Sequence, residues 1–504
     1  MLRHLAQTCL AAALIVAGPV TLPAQAAPEA LTILHTNDTH DHLEAFDVSG
    51  QKDIGGIARR ATLFRRIRKE TPATLVLDAG DVFQGTPLFN FYSGEPDYLT
   101  MAQAGYDAVT VGNHDLDNGL DNLRLQAEHL GKGRGPISAN MRDDRGKPLF
   151  ESHRVLTVGK LKVAVIGALG VEAFHAVAEP RRRGVQVNDP LQALRPLIQK
   201  LRPTVDLVVL LTHIGHEAEV ELAQALPEVD LIVGGHSHTK VEAPVVVKHP
   251  GRNTLVVQAF QWGQFVGRLD LQVEGRKIVS HRGQLLPVST DIQPDPGVAA
   301  TVSRYADRIA IEMRQVVGRA EVEFPNNRKR EGDTPLGNLV ADVMRESMGA
   351  DVGIMNSGGI RAALPKGDLT RGMVFSMLPF ENYLVTFSCS GVELQRILDF
   401  AASRYGKSGS LQVSGVRYVV DGERATEVVV GDKPLDLAAQ YRVTTNDYIA
   451  QGNDGADVFR AITGVGNTGV LMRDAFLQRL LRNPVLTMPA GGRIRKREAV
   501  PAAP

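Results

Sequence analysis

Seven apolar runs of three to seven residues, at 31–34, 74–77, 108–111, 161–166, 205–211, 231–233 and 254–257, punctuate the first half of this 504-residue chain. Polar stretches with helical spacing separate them, at 57–70, 118–130, 191–201 and 217–225. Such short apolar runs read as strands buried on both faces, and their alternation with helices reads as βαβ units. A more amphipathic strand region at 266–288 closes this half, and Pro294 and Pro296 then break regular structure. A polar helix at about 298–316 leads into a second half with its own helices (336–348, 391–403) and short strands (352–355, 384–388, 417–420, 427–430, 442–445). The expected architecture is two α/β domains joined by a helix, with boundaries at 27–294, 295–317 and 318–504.

Residues 1–26 read as an address. Arg3 and His4 precede an apolar stretch at 10–20, and Ala24-Gln25-Ala26 has the small-x-small form of a signal-peptidase site. The stretch is shorter than the roughly 20 apolar residues of a membrane span. A periplasmic or secreted chain without a membrane anchor is therefore expected. Cys9 leaves with the signal, and Cys389 then stands alone, which excludes an internal disulfide. Lys and Arg number 56 against 56 Asp and Glu, and without a basic surplus a nucleic-acid polymer is not an expected partner. A monomer is favoured over an oligomer.

The residues that end the runs carry the chemistry. Asp38-x-His40 follows the first run, Gly80-Asp81 the second and Gly112-Asn113-His114 the third; His213 follows a later one and Gly235-His236-Ser237-His238 the next. Open α/β sheets place ligands beyond the carboxyl ends of their strands, so these five tails converge on one edge. Gly80, Gly112 and Gly235 are expected to let the backbone turn just before each polar side chain. Imidazoles with carboxylates and no thiolate suit Zn, Mn, Co or Fe rather than a structural zinc centre. Two ions about 3.5–4 Å apart need a bridging carboxylate, and Asp81 is the sole carboxylate of its loop. One ion takes Asp38, His40, Asp81 and His238; the other takes Asp81, Asn113, His213 and His236. Such a pair holds a phosphoester oxygen and lowers the pKa of bound water to about 7.

These motifs resemble the calcineurin-like metallophosphoesterases. The flanking residues His35-Thr36-Asn37-Asp38, Val111-Gly112-Asn113-His114-Asp115-Leu116-Asp117 and Thr212-His213-Ile214-Gly215-His216 are similar to the exported 5′-nucleotidase branch, which includes UDP-sugar hydrolases and cyclic-nucleotide phosphodiesterase/3′-nucleotidases. The resemblance implies a four-layer α/β/β/α first domain, the same metal ligands, and a catalytic pair mapping onto His114 and Asp117. An imidazolium beside Asn113, held by Asp117, would face the phosphoryl group. His216 is expected to support the site without ligating.

Three segments give the second half a purpose. Met355-Asn356-Ser357-Gly358-Gly359-Ile360-Arg361 permits close backbone approach and supplies a guanidinium fork for phosphate. Leu378-Pro379-Phe380-Glu381-Asn382 presents an aromatic on a Pro-fixed turn. Asn446-Asp447-Tyr448 offers another aromatic, with Asp454 six residues on. Two aromatics can sandwich a base, and a carboxylate can accept ribose hydroxyls. These segments look like the nucleotide-binding C-terminal domain of 5′-nucleotidases. That likeness implies base stacking by Phe380 and Tyr448, base contact by Asn382, ribose binding by Asp454, phosphate or ribose contact by Arg361, and substrate contacts by Asn356 and Arg330. Ser357, Asn453 and Ala456 depart from the family's usual Gly, Gly and aromatic, which bears on fine substrate preference.

The expected activity is hydrolysis of nucleoside 5′-monophosphates by in-line attack of metal-activated water. UDP-sugar hydrolysis and 2′,3′-cyclic phosphodiester hydrolysis are alternatives within the same fold. A sulfur-oxidising thiohydrolase would have no base to stack. A non-catalytic binding protein would not need all seven ligands.

Overall fold

The computed structural model describes residues 28–48, 51–177, 179–326, 332–407 and 409–497. The signal-peptide reading of residues 1–26 and the substrate role of Arg330 lie outside them.

The first half is built on two stacked sheets. In one, β1 (Glu29–Thr36), β2 (Thr74–Asp78) and β3 (Ala108–Val109) are parallel, and a hairpin of two later strands, Phe265–Glu274 and Lys277–Pro287, extends the edge beside β1. In the other, β4 (Leu161–Leu169), β5 (Leu207–His213), β6 (Leu231–Val233) and β7 (Arg252–Val257) run parallel, with antiparallel strands His153–Val158 and Val245–His249 at the edges. Successive side chains on one strand serve different layers. Leu207, Val209 and Leu211 of β5 meet Leu31, Ile33, Leu75 and Leu77 of the facing sheet. Val208 and Leu210 instead meet Leu194, Ile198 and Leu222 of the outer helices α2 (Pro190–Leu201) and α3 (His216–Ala225). On the far side Leu34 and Val76 pack against Phe64 and Ile67 of α1 (Ile57–Glu70). The result is the expected α/β/β/α stack. It explains the unbroken apolar runs, because strands covered on both faces have no polar side to alternate with.

The connecting helix α4 (Pro296–Met313) starts where Pro at its first position and the Asp295 carboxylate, which accepts from the Val298 N–H at 3.0 Å, fix its end. Its buried face (Val298, Val302, Tyr305, Ile309, Met313) packs into a core that takes residues from both halves. The chain enters the sheets of the second half at Val316. There a mixed sheet in the order Leu411–Ser414, Val352–Asn356, Gln440–Asn446, Tyr383–Ser390, Gly466–Leu471 carries the segments of Asn356–Arg361, Phe380–Asn382 and Tyr448–Asp454 at its strand ends. Among the described residues no helix is long and apolar enough to cross a membrane.

Candidate active site

All seven expected ligands lie just beyond, or at the end of, five parallel strands, three in one sheet and two in the other. Asp38, His40, Asp81, His236 and His238 sit at φ between 47° and 77°. A left-handed backbone costs about 1–3 kcal/mol per non-glycine residue and persists where the surroundings over-determine it. Here it turns each tail back so that the side chains meet. Asp38 Oδ1 lies 3.2 Å from His238 Nε2, which is 3.1 Å from His40 Nε2. Asp81 Oδ2 lies 3.2 Å from His213 Nε2, and Asn113 Oδ1 is 3.2 Å from that nitrogen and 3.0 Å from His236 Nδ1. Two donor groups result, Asp38–His40–Asp81–His238 and Asp81–His213–His236, each with its atoms within 4.8 Å of one another and both including Asp81.

The outer contacts test whether these residues fit a metal. His40 donates from Nδ1 to the Gln84 carbonyl at 3.0 Å, His213 from Nδ1 to the Ala79 carbonyl at 2.8 Å, and His238 from Nδ1 to the Gln261 side chain. With Nδ1 tied to an outer oxygen, each ring in its neutral form presents the Nε2 lone pair inward, the outer-contact pattern typical of ligating histidines. The field agrees. Burial alone would raise Asp81, but the charges of His213 and His114 hold it well below the usual carboxylate range. Burial pulls His213 down, yet Asp81 and Asp38 push it up to about 10. The centre thus draws positive charge to a point where a divalent cation would displace a proton.

Two loops cross beneath the site. A Cβ on Gly80 would come within 2.5 Å of the Gly112 nitrogen, and one on Gly112 within 2.2 Å of the Asp81 nitrogen. Gly80 has a left-handed φ of 85°, as expected; Gly112 and Gly235 do not, and owe their place to close approach instead. Gly112→Ala should cost about 1–3 kcal/mol, read as a lower melting midpoint together with weaker metal binding. An unchanged midpoint would show that the crossing can relax. Asp115, given no role from sequence, ties the same loops together: its carboxylate accepts from the backbone N–H groups of Asp81, Val82, Phe83 and Gly112 at 2.7–3.2 Å. Asn37 does similar work, donating to Asp38 Oδ2 at 2.6 Å and accepting from the Ala259 N–H at 2.7 Å.

His114 begins a single 3₁₀ turn (His114–Leu116). Its backbone N–H donates to Asp81 Oδ1 at 2.8 Å, and its Nδ1 donates to Asp117 Oδ2 at 2.9 Å. Burial lowers its pKa, but Asp117 and Asp81 outweigh that and leave it raised. The ring lies between those of His40 (5.3 Å) and Phe380 (5.7 Å). His216 contributes through its backbone N–H, which donates to Ser237 Oγ at 3.0 Å.

A cleft of about 1320 Å³ joins this centre to the second half. Asp81, Asn113, His114 and Asp117 line one wall; Asn356, Arg361, Phe380, Asn382, Tyr448 and Asp454 line the other. The Arg361 guanidinium lies 5.9 Å from the Phe380 ring centroid. Among the described residues Phe380 pairs with His114 and not with Tyr448, so the two aromatics share the cleft without closing on each other. The Tyr448 hydroxyl is 3.1 Å from Asp454 Oδ1 and 2.8 Å from the Ala176 carbonyl, and its single proton cannot serve both. Asn356 Nδ2 donates to Asp454 Oδ2 at 3.2 Å. Asn453, one of the departures, donates to the Tyr448 carbonyl at 2.7 Å and so braces that aromatic. Asn90, missed in the sequence, donates across the cleft to the Pro379 carbonyl at 2.8 Å and holds the turn that carries Phe380.

Comparison with known proteins agrees with this geometry. The family model for calcineurin-like phosphoesterases matches residues 31–240, and that for the 5′-nucleotidase C-terminal domain matches 316–461. A 5′-nucleotidase of Vibrio cholerae is 32% identical, the match covering 96% of this chain and 98% of that one. The trifunctional nucleotide phosphoesterase YfkN of Bacillus subtilis is 31% identical over 89% of this chain, which spans 34% of that longer protein. The crystal structure of a 5′-nucleotidase precursor from Thermus thermophilus has a TM-score of 0.85 at 34% identity, covering 94% of this chain and 100% of its own. With both halves matched and the ligand tails converging in one centre, this chain belongs to the 5′-nucleotidase family of calcineurin-like phosphoesterases.

Proposed function

We propose that the protein hydrolyses nucleoside 5′-monophosphates to nucleoside and phosphate. One observation carries this reading: a single cleft has a nitrogen- and oxygen-donor centre on one wall and two aromatics with a carboxylate on the other. In this reading residues 27–294 supply the chemistry, 318–504 hold the nucleoside, and 295–317 join them. Asp38, His40, Asp81 and His238 would hold one divalent ion and Asp81, Asn113, His213 and His236 a second; Zn, Mn, Co and Fe all suit these donors. Such ions polarise a phosphoester and lower the pKa of water towards neutrality. His114, kept protonated by Asp117, donates from Nε2 to the phosphoryl oxygens as their charge grows. Arg361 orients the phosphate by charge-assisted hydrogen bonds. Asp454 accepts from ribose hydroxyls, while Phe380, Tyr448 and Asn382 bind the base. An exported location fits the reading of residues 1–26.

A phosphate-release screen of the purified protein with AMP, other nucleotides, UDP-glucose and 2′,3′-cyclic AMP tests the assignment. Preferred turnover of AMP supports it; preferred turnover of UDP-glucose or the cyclic nucleotide would move the chain to one of the two alternatives.

The ring contact between Phe380 and His114 sharpens a second test. Stacking is worth about 1–3 kcal/mol per base, so Tyr448→Ala should lose roughly 5- to 150-fold in kcat/KM for AMP and far less for p-nitrophenyl phosphate. Phe380→Ala should lose on both substrates, because it also unseats the His114 ring. Equal losses on both substrates for Tyr448→Ala would mean that this ring supports the fold and not the ligand.

A further inference from the structure

The loop that carries His236 and His238 is gripped from behind by two residues outside the donor groups. Glu219, in the first turn of α3, and Gln258, the residue after β7, are both fully buried. Glu219 Oε1 accepts from the Gly235 N–H at 3.0 Å and from the Thr212 hydroxyl at 3.4 Å. Gln258 Nε2 donates to the Gly235 carbonyl at 3.0 Å and to Glu219 Oε2 at 3.4 Å. Gln258 Oε1 accepts from the Ser237 hydroxyl at 3.1 Å and from the Thr239 N–H. Both polar groups of the Gly235 residue are thus held by one linked pair, which also fixes the loop up to Thr239. The fit is tight: a Cβ on Gly234 would lie 1.9 Å from the Glu219 carboxylate.

The loop needs such a grip. His236 and His238 both have left-handed backbones, with φ of 77° and 52°, and such residues relax unless their surroundings hold them. The two side chains also go to different donor groups, His238 to the one with Asp38 and His40, His236 to the one with His213. A shift of this loop therefore disturbs both groups together.

We propose that Glu219 and Gln258 are positioning residues that clamp the two peptide groups flanking Gly235 and so set the geometry of both metal sites at once. This rests on the reading that each donor group holds a divalent ion. Neither residue touches substrate in this scheme; both act through His236 and His238.

The test is calorimetric titration of the full chain with Mn²⁺ alone, alongside the melting midpoint of the metal-free protein. Loss of an outer contact typically costs 10–100-fold in metal affinity. Glu219→Ala and Gln258→Ala should each weaken Mn²⁺ binding by about that factor at both sites. The double variant should lose little more than either single one, because the two side chains hold the backbone of one residue and bond to each other. Glu219→Gln, which keeps an oxygen for the Gly235 N–H, should recover part of the affinity and provides a folded variant should the alanine form not fold. Parental affinity in the single variants, a loss confined to one site, or no recovery in folded Glu219→Gln would each overturn the proposal. A parent chain that does not take up two Mn²⁺ would instead sink the two-ion reading on which it rests.

Discussion

Asp81→Asn should yield a folded protein that retains too little metal to work, with phosphate release from AMP at least about 10³-fold below the parent. Asp81 belongs to both donor groups. Its Oδ1 accepts the His114 N–H at 2.8 Å, and its Oδ2 faces His213 at 3.2 Å and His40 at 3.8 Å. Asparagine keeps the size and an oxygen for the His114 N–H, so the loop keeps its course. What goes, on the two-ion reading, is a unit of negative charge common to both donor groups. A single charge pair about 4 Å apart is worth about 4 kcal/mol at an effective dielectric constant of 20, and each 1.4 kcal/mol is tenfold, so about three orders of magnitude follow. Metal content after dialysis and phosphate release on the same sample decide the matter. Two retained ions with parental turnover would remove Asp81 from the centre.

His114→Ala should behave in the opposite way, keeping its metal while kcat for AMP falls about 10²- to 10³-fold, the range for removing one preorganised donor to a transition-state charge. The distinction follows from geometry. The His114 side chain lies outside both donor groups, while the contact it makes with Asp81 runs through its backbone N–H and survives the substitution. Asp117→Asn, which preserves the contact at Nδ1 but not the charge that keeps the ring protonated, should fall between parent and alanine variant. Loss of both ions in His114→Ala would make His114 a ligand and refute its assignment as donor.

The convergence of the seven donors was readable because each lies shortly after, or ends, a strand whose apolar run can be seen in the sequence, and strand ends are where α/β sheets place ligands. Strand limits were less readable. The apolar signal of β5 stops at Leu211, yet the strand continues to His213, which pairs with Leu169 of β4. Pairing with a distant partner, and not local hydrophobicity, decides that end. The helix Glu95–Ala104 escaped notice because it buries Asp97 and Thr100 along with Tyr98 and Met101, so no polar face marks its period. Glu219, Gln258, Asp115 and Asn90 were equally hidden. Each acts on backbone groups of a segment elsewhere in the chain, and a carboxylate that accepts from four main-chain amides looks, in sequence, like any turn aspartate. The Phe380–His114 contact spans the two halves of the chain, and only the folded cleft reveals that the ring proposed to bind the base also bears on the ring proposed to act on the phosphoryl group.

Asp38, His40, Asp81 and Asn113 come from one sheet and His213, His236 and His238 from the other, which makes the centre a clasp across the interior of the first half. Prising the sheets apart must release the ion, so occupancy and cohesion rise together. An ion present at a thousand times its Kd adds about 4.1 kcal/mol to the folded state, comparable to the whole penalty of deleting a large buried side chain. Where proteases cull transiently opened chains, metal scarcity would thin the standing population of the enzyme as well as idle the molecules that remain. Its abundance, and not only its turnover, would then follow the supply of metal.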